Sequence, residues 1–137
     1  MAQKHDIERF GTPPSLADLE AVAREAYAVI PFELRRFTKD VVIKVEEFPD
    51  DETLEELDLE SPFDLLGLYR GVDLASKSVF DTPQAPDMIF LYRRPLLDYW
   101  CAEGEDLTHL VRHVLIHEIG HHFGLSDDDM DRIEASA

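Results

Sequence analysis

Leu107-Thr108-His109-Leu110-Val111-Arg112-His113-Val114-Leu115-Ile116-His117-Glu118-Ile119-Gly120-His121-His122 runs directly into Phe123-Gly124-Leu125-Ser126-Asp127. Leu107, Leu110, Val111, Val114, Leu115 and Ile119 recur at helical spacing, so the stretch from Asp106 to Phe123 reads as one amphipathic helix with a broad apolar stripe. Gly124 falls where a left-handed cap ends such a helix. Ser126 then reads as the N-cap of a last short helix, with Asp129 at its third position.

Inside the helix stands His117-Glu118-Ile119-Gly120-His121, a His-Glu-x-x-His pattern. Residues four apart lie on one face, one turn apart, so two imidazoles can grip one ion from the same side. Glu118 directly follows the first histidine and can reach water on that ion. This is the layout of a zinc hydrolase. His117, His121 and Asp127 are the expected ligands, since Gly124 lets the chain reverse and return Asp127 toward the ion. Three protein ligands leave a fourth position open, as in catalytic rather than structural zinc sites. Glu118 is the expected general base: it activates the metal-bound water and passes the proton to the leaving amine. His109 and His113 continue the spacing of four backward, but each step drifts about 40° around the axis. Surface or packing roles are expected for both. His122 points about 100° from His121 and is expected at the surface or behind the ligands.

Working outward, Ser15 with Asp18 looks like a capping box. The spacing of Leu16, Leu19, Val22, Ala23, Ala26 and Ile30 predicts a helix over 15–30 that Pro31 ends. Phe32 to Phe37 predicts a further helical turn. Val41 to Val45 is β-branched and predicts a strand. Asp50 to Leu59 reads as a short helix or a loop. Leu66 to Leu74 and Asp87 to Tyr92 predict two more strands, and Pro95 suits the first turn of a helix to about Ala102. Residues 1–12 are polar and are expected to be loose. Helix, strands, then helices argue an α+β fold in one domain spanning 1–137.

The 137 residues allow one modest core. Hydrophobic residues make up 45% of them, too many for a disordered chain. The single cysteine, Cys101, excludes an intrachain disulfide and a cysteine-built zinc site, which leaves histidines and carboxylates as ligands. No stretch approaches a membrane span or a secretory signal, so no membrane association and a cytoplasmic location are expected. Thirty acidic against 13 basic residues give a net charge of -17. Phosphate backbones would be repelled, so nucleic acid is not an expected partner. The acidic clusters at 50–60 and 127–131 read as solvated surface, or as a preference for a basic peptide.

The run His117-Glu118-Ile119-Gly120-His121-His122-Phe123-Gly124-Leu125-Ser126-Asp127 resembles the zincin-like metallopeptidase family of small bacterial proteins, a minimal zincin. Gly67-Leu68-Tyr69-Arg70-Gly71 and Ile89-Phe90-Leu91-Tyr92-Arg93 extend the resemblance, which covers about Phe32 to Glu134. It implies a small mixed sheet packed on an active-site helix with flanking helices, and zinc as the metal. It differs from metzincins, which carry His in place of Asp127 and a Met-turn beyond it. The resemblance also implies an edge strand above the helix that pairs with extended substrate, for which Met88 to Tyr92 is the candidate. Tyr69, Tyr92 and Tyr99 are candidate oxyanion donors. The expected activity is zinc-dependent hydrolysis of peptides or an unfolded protein segment. A catalytically silent binding module with a structural metal is the alternative. A three-histidine nuclease has different ligand spacing and no use for Glu118.

Overall fold

The computed structural model describes residues 12–38, 41–71 and 86–136. The first helix, α1 (Leu16–Ala28), begins as its sequence predicts. Ser15 Oγ accepts from the Asp18 amide at 3.1 Å, and Asp18 accepts from the Ser15 amide at 2.9 Å. It buries Leu19, Ala23 and Ala26, and these small residues let it lie close to the long C-terminal helix. A turn of helix, α2 (Phe32–Arg35), follows Pro31. The acidic stretch resolves into α3 (Asp51–Glu56), because the Asp50 side chain caps it by accepting from the Thr53 amide at 2.8 Å.

Three strands form the sheet: β1 (Val42–Glu46), β2 (Gly67–Arg70) and β3 (Met88–Tyr92). Their order is β1-β3-β2, with β1 parallel and β2 antiparallel to β3. The sheet is therefore mixed, and the protein is α+β. Met88 to Tyr92 was the expected substrate-pairing edge, and the structure corrects this. β3 is the central strand, paired on both sides, and it carries the most apolar sequence of the three. Of the strand expected over 66–74, the structure shows Gly67–Arg70; residues 72–74 lie outside the described residues, as does the segment 1–11.

Register fixes which side chains share a face. Ile43 and Tyr69 flank Ile89, and Val45 and Gly67 flank Leu91. This face carries the core, with Leu110, Val111, Val114, Leu115, Ile116 and Ile119 from the long helix. Gly67 is glycine because a Cβ there would come within 2.8 Å of Val114 Cγ1. β2 thus lies close against the long helix, and it has no further strand beside it among the described residues.

After β3 the chain turns directly into α4 (Arg93–Glu103), which ends at Gly104 with φ 69°. The long helix α5 (Leu107–His122) is capped by Asp106, which accepts from the His109 amide at 2.9 Å. The last helix, α6 (Asp127–Ala135), is capped by Ser126 through the Asp129 amide at 3.1 Å. Among the described residues no helix is long and apolar enough to cross a membrane.

Candidate metal centre and general base

The turn between α5 and α6 sets the site. Leu125 N donates to Gly120 O at 2.8 Å and Gly124 N donates to His121 O at 3.2 Å. Gly124 has φ 77°. These two bonds are a Schellman motif, which reverses the chain at the end of the histidine helix. α6 then runs back along α5. Met130, fully buried, sits where a Cβ on Gly120 would be, so the glycine inside His-Glu-x-x-His is a contact point for α6. Met130 therefore serves helix packing.

The return of α6 brings two carboxylates to the histidine row. Asp127, the first residue of α6, lies 3.8 Å from His121 Nε2. Its side chain is 86% exposed, and that of His121 is 57% exposed. Glu134, near the far end of α6, lies deeper, with its side chain 13% exposed. Its Oε1 is 3.4 Å from His117 Nε2, and both its oxygens are 2.9 Å from His113 Nδ1. His109 Nε2 lies 3.8 Å from its Oε2. The His117 and His121 rings stand 5.9 Å apart and nearly perpendicular.

Glu134 escaped the sequence reading. The available signal was its place seven residues after Asp127, which is close to two full helical turns and puts both on one face of α6. Whether that face turns to the histidines depends on the α5–α6 turn. His113, half exposed, takes a surface place as expected, but it is tied to Glu134.

Glu118 faces the other way, toward β2. The Tyr69 backbone N–H lies on that side, close enough to the carboxylate to favour its charged form. Tyr92 N donates to Leu66 O, so alternation turns the main-chain groups of Gly67, Tyr69 and Gly71 away from β3 and toward the side of β2 that pairs with no strand among the described residues. Burial raises the Glu118 pKa above the ordinary carboxylate value; the Tyr69 N–H and the nearby His121 oppose this without cancelling it.

The aromatic candidates separate. The Tyr69 hydroxyl donates to Asp87 at 2.6 Å, and burial first, then Asp87, pushes its pKa well up. The Tyr69 ring stacks on His122 with centroids 4.1 Å apart. Gly71 passes over the His122 ring so closely that a Cβ would come within 2.5 Å of its Nε2. Tyr92 lies on the opposite sheet face, beside a 270 Å³ cleft lined by Glu46, Asp50, Glu52, Glu56 and Arg70. Burial there, with Glu46 next, pushes it up to about 12. Tyr99 is exposed on α4.

A model of the zincin-like metallopeptidase family matches residues 38–137. The chain belongs to this family. No curated protein gives a significant match. The family implies zinc, and one local observation fits a cation. His117 Nε2 is buried without a hydrogen-bond partner, its 3.4 Å approach to Glu134 not having hydrogen-bond geometry. Ligands bound at about 2.0–2.1 Å in a tetrahedron lie about 3.4 Å from one another. A buried imidazole nitrogen at that spacing from a carboxylate is a donor set suited to zinc.

Proposed function

We propose that the protein is a zinc-dependent peptidase in which His117, His121 and Asp127 hold the ion and Glu118 is the general base. The observation that carries this is the placement of Glu118. It directly follows His117 in sequence, lies in the field of His121, and is buried on the β2 side of the helix near the Tyr69 N–H. Zinc held there would supply Lewis acidity toward a water and a scissile carbonyl. Glu118 then takes the proton from the water and delivers it to the leaving amine nitrogen. Its raised pKa makes it a stronger base than a solvated carboxylate. The nearby Tyr69 N–H occupies at most one of the carboxylate's four lone-pair sites, so others remain for the proton.

The substrate class is an extended peptide or unfolded segment. It would pair through its main chain with the outward edge of β2, beside Glu118. The net charge of -17 favours basic segments through attraction at long range.

The test is a peptide-library digestion with zinc-loaded wild type and Glu118→Gln. The expected result is cleavage by wild type and loss of cleavage in the variant with zinc content unchanged. Equal cleavage by both would refute the mechanism.

A second reading follows from the two carboxylates of α6. A metal bridging α5 and α6 could serve mainly to staple the last helix to the fold. In that case zinc removal would melt α6 in circular dichroism and no peptide would be cleaved by the loaded protein.

A further inference from the structure

We propose that His113, His117 and Glu134 form a second divalent-cation position, one helical turn from the His117, His121 and Asp127 position and sharing His117 with it. The proposal rests on metal chemistry and does not require that the protein be a peptidase. Among the described residues, His113, His117 and Glu134 offer ligand atoms that all lie within 4.8 Å of one another.

The two positions are related by the helices themselves. On α5 the step from His113 to His117 repeats the step from His117 to His121, four residues in each case. On α6 the step from Asp127 to Glu134 is about 700° of rotation, within about 20° of a full return, and about 10.5 Å of rise. Each position can therefore draw two imidazoles from α5 and one carboxylate from α6, but among the described residues only His113, His117 and Glu134 already bring their ligand atoms within 4.8 Å of one another. The ligand chemistry is the same, so it does not by itself favour one position over the other. Geometry does: at the second position the carboxylate is the more buried one, and the shared nitrogen is already 3.4 Å from it. The histidine nearest it, His113, hydrogen-bonds both carboxylate oxygens through Nδ1 at 2.9 Å, a contact that an ion would open to the ligand spacing of about 3.4 Å.

Sharing makes the positions exclusive. Nε2 of a neutral imidazole has one lone pair, so His117 holds one ion at a time. An ion with Glu134 lies on the α6 flank of α5, away from the β2 flank where Glu118 is held. The ligand class is a borderline divalent cation, with zinc or cobalt fitting the nitrogen and oxygen donors.

The experiment is titration of metal-free protein with Co2+ at neutral pH, followed by visible absorption and calorimetry. The chains are wild type, His121→Ala, His121→Ala with Glu134→Gln, and His121→Ala with His113→Ala, each shown to be folded by circular dichroism. Wild type is expected to take one tight equivalent. His121→Ala is expected to keep one equivalent with a shifted absorption band, because the second position lacks nothing. Either added change should then weaken binding by more than about 100-fold, beyond what loss of an outer partner costs. Two tight equivalents in wild type would overturn the sharing. Folded His121→Ala that binds no Co2+, or that binds equally well after either added change, would overturn the site. His121→Gln is the replacement should the alanine variant fail to fold.

Discussion

Glu118 and Glu134 stand on opposite flanks of one row of histidines. The β2 flank buries Glu118 beneath a strand edge and gives its carboxylate a single main-chain donor, so burial dominates and its proton affinity rises. The α6 flank surrounds Glu134 with the imidazoles of His109, His113 and His117. A carboxylate short of partners is suited to carrying a proton. A carboxylate ringed by imidazoles is suited to holding a cation. Two glutamates sixteen positions apart thus acquire different chemistry from what the fold packs around them.

The sharpest way to break this contrast is Glu118→Gln. Turnover of a cleavable peptide should fall by about 10²–10⁴-fold, the range general-base catalysis supplies, with zinc retained by metal analysis. Loss of zinc together with activity would place Glu118 among the ligands and erase the distinction between the flanks. Next in size is metal removal, which acts on the α6 flank. At a free zinc concentration of about 100 times the dissociation constant, the folded state gains about 2.7 kcal/mol. Chelation should lower the thermal midpoint accordingly, with α6 losing amide protection first in hydrogen exchange.

Gly120→Ala tests whether the two flanks share one scaffold. The added methyl meets Met130, so α6 must shift, at a cost of about 1–3 kcal/mol in chemical denaturation. Zinc affinity should fall as Asp127 and Glu134 move away from α5. Gly124→Ala forces a side chain into φ 77° and should cost about 1 kcal/mol or somewhat more. The smallest effect concerns Arg132 of α6, which makes a two-pronged contact to Glu33 of α2 at 2.9 and 3.1 Å. The Arg132 hydrogen bond holds the Glu33 pKa below its ordinary value. The pair's contribution is therefore present above the ordinary carboxylate range and is lost as pH falls through the lowered value. Stability of wild type minus Glu33→Gln should be slightly positive at neutral pH and vanish in acid. Both groups are exposed, so salt should shrink the difference.

Much of the fold was legible because its signals are local. Ser15 and Ser126 each cap a helix where a hydroxyl precedes the helical stretch, and Gly124 ends one at positive φ, whereas the Asp50 cap decided between the helix and the loop that 50–59 allowed. Strand order was not local. Nothing in Met88 to Tyr92 states that it pairs on both sides, and placing it at the edge failed for that reason. The edge beside α5 is β2, whose Gly67 permits the close approach of Val114.

The sequence by itself determined that His117 and His121 share a helix face, that Glu118 follows His117 at one residue's rotation, and that Gly124 reverses the chain. Helical geometry fixes these relations within a single element. Only tertiary structure decided that α6 returns along the histidine row with Glu134 as well as Asp127 turned to it. It also decided that Glu118 is buried beneath β2 rather than beneath β3. These depend on the angle of one turn and the order of three strands, which packing of the shared core selects and no single segment encodes.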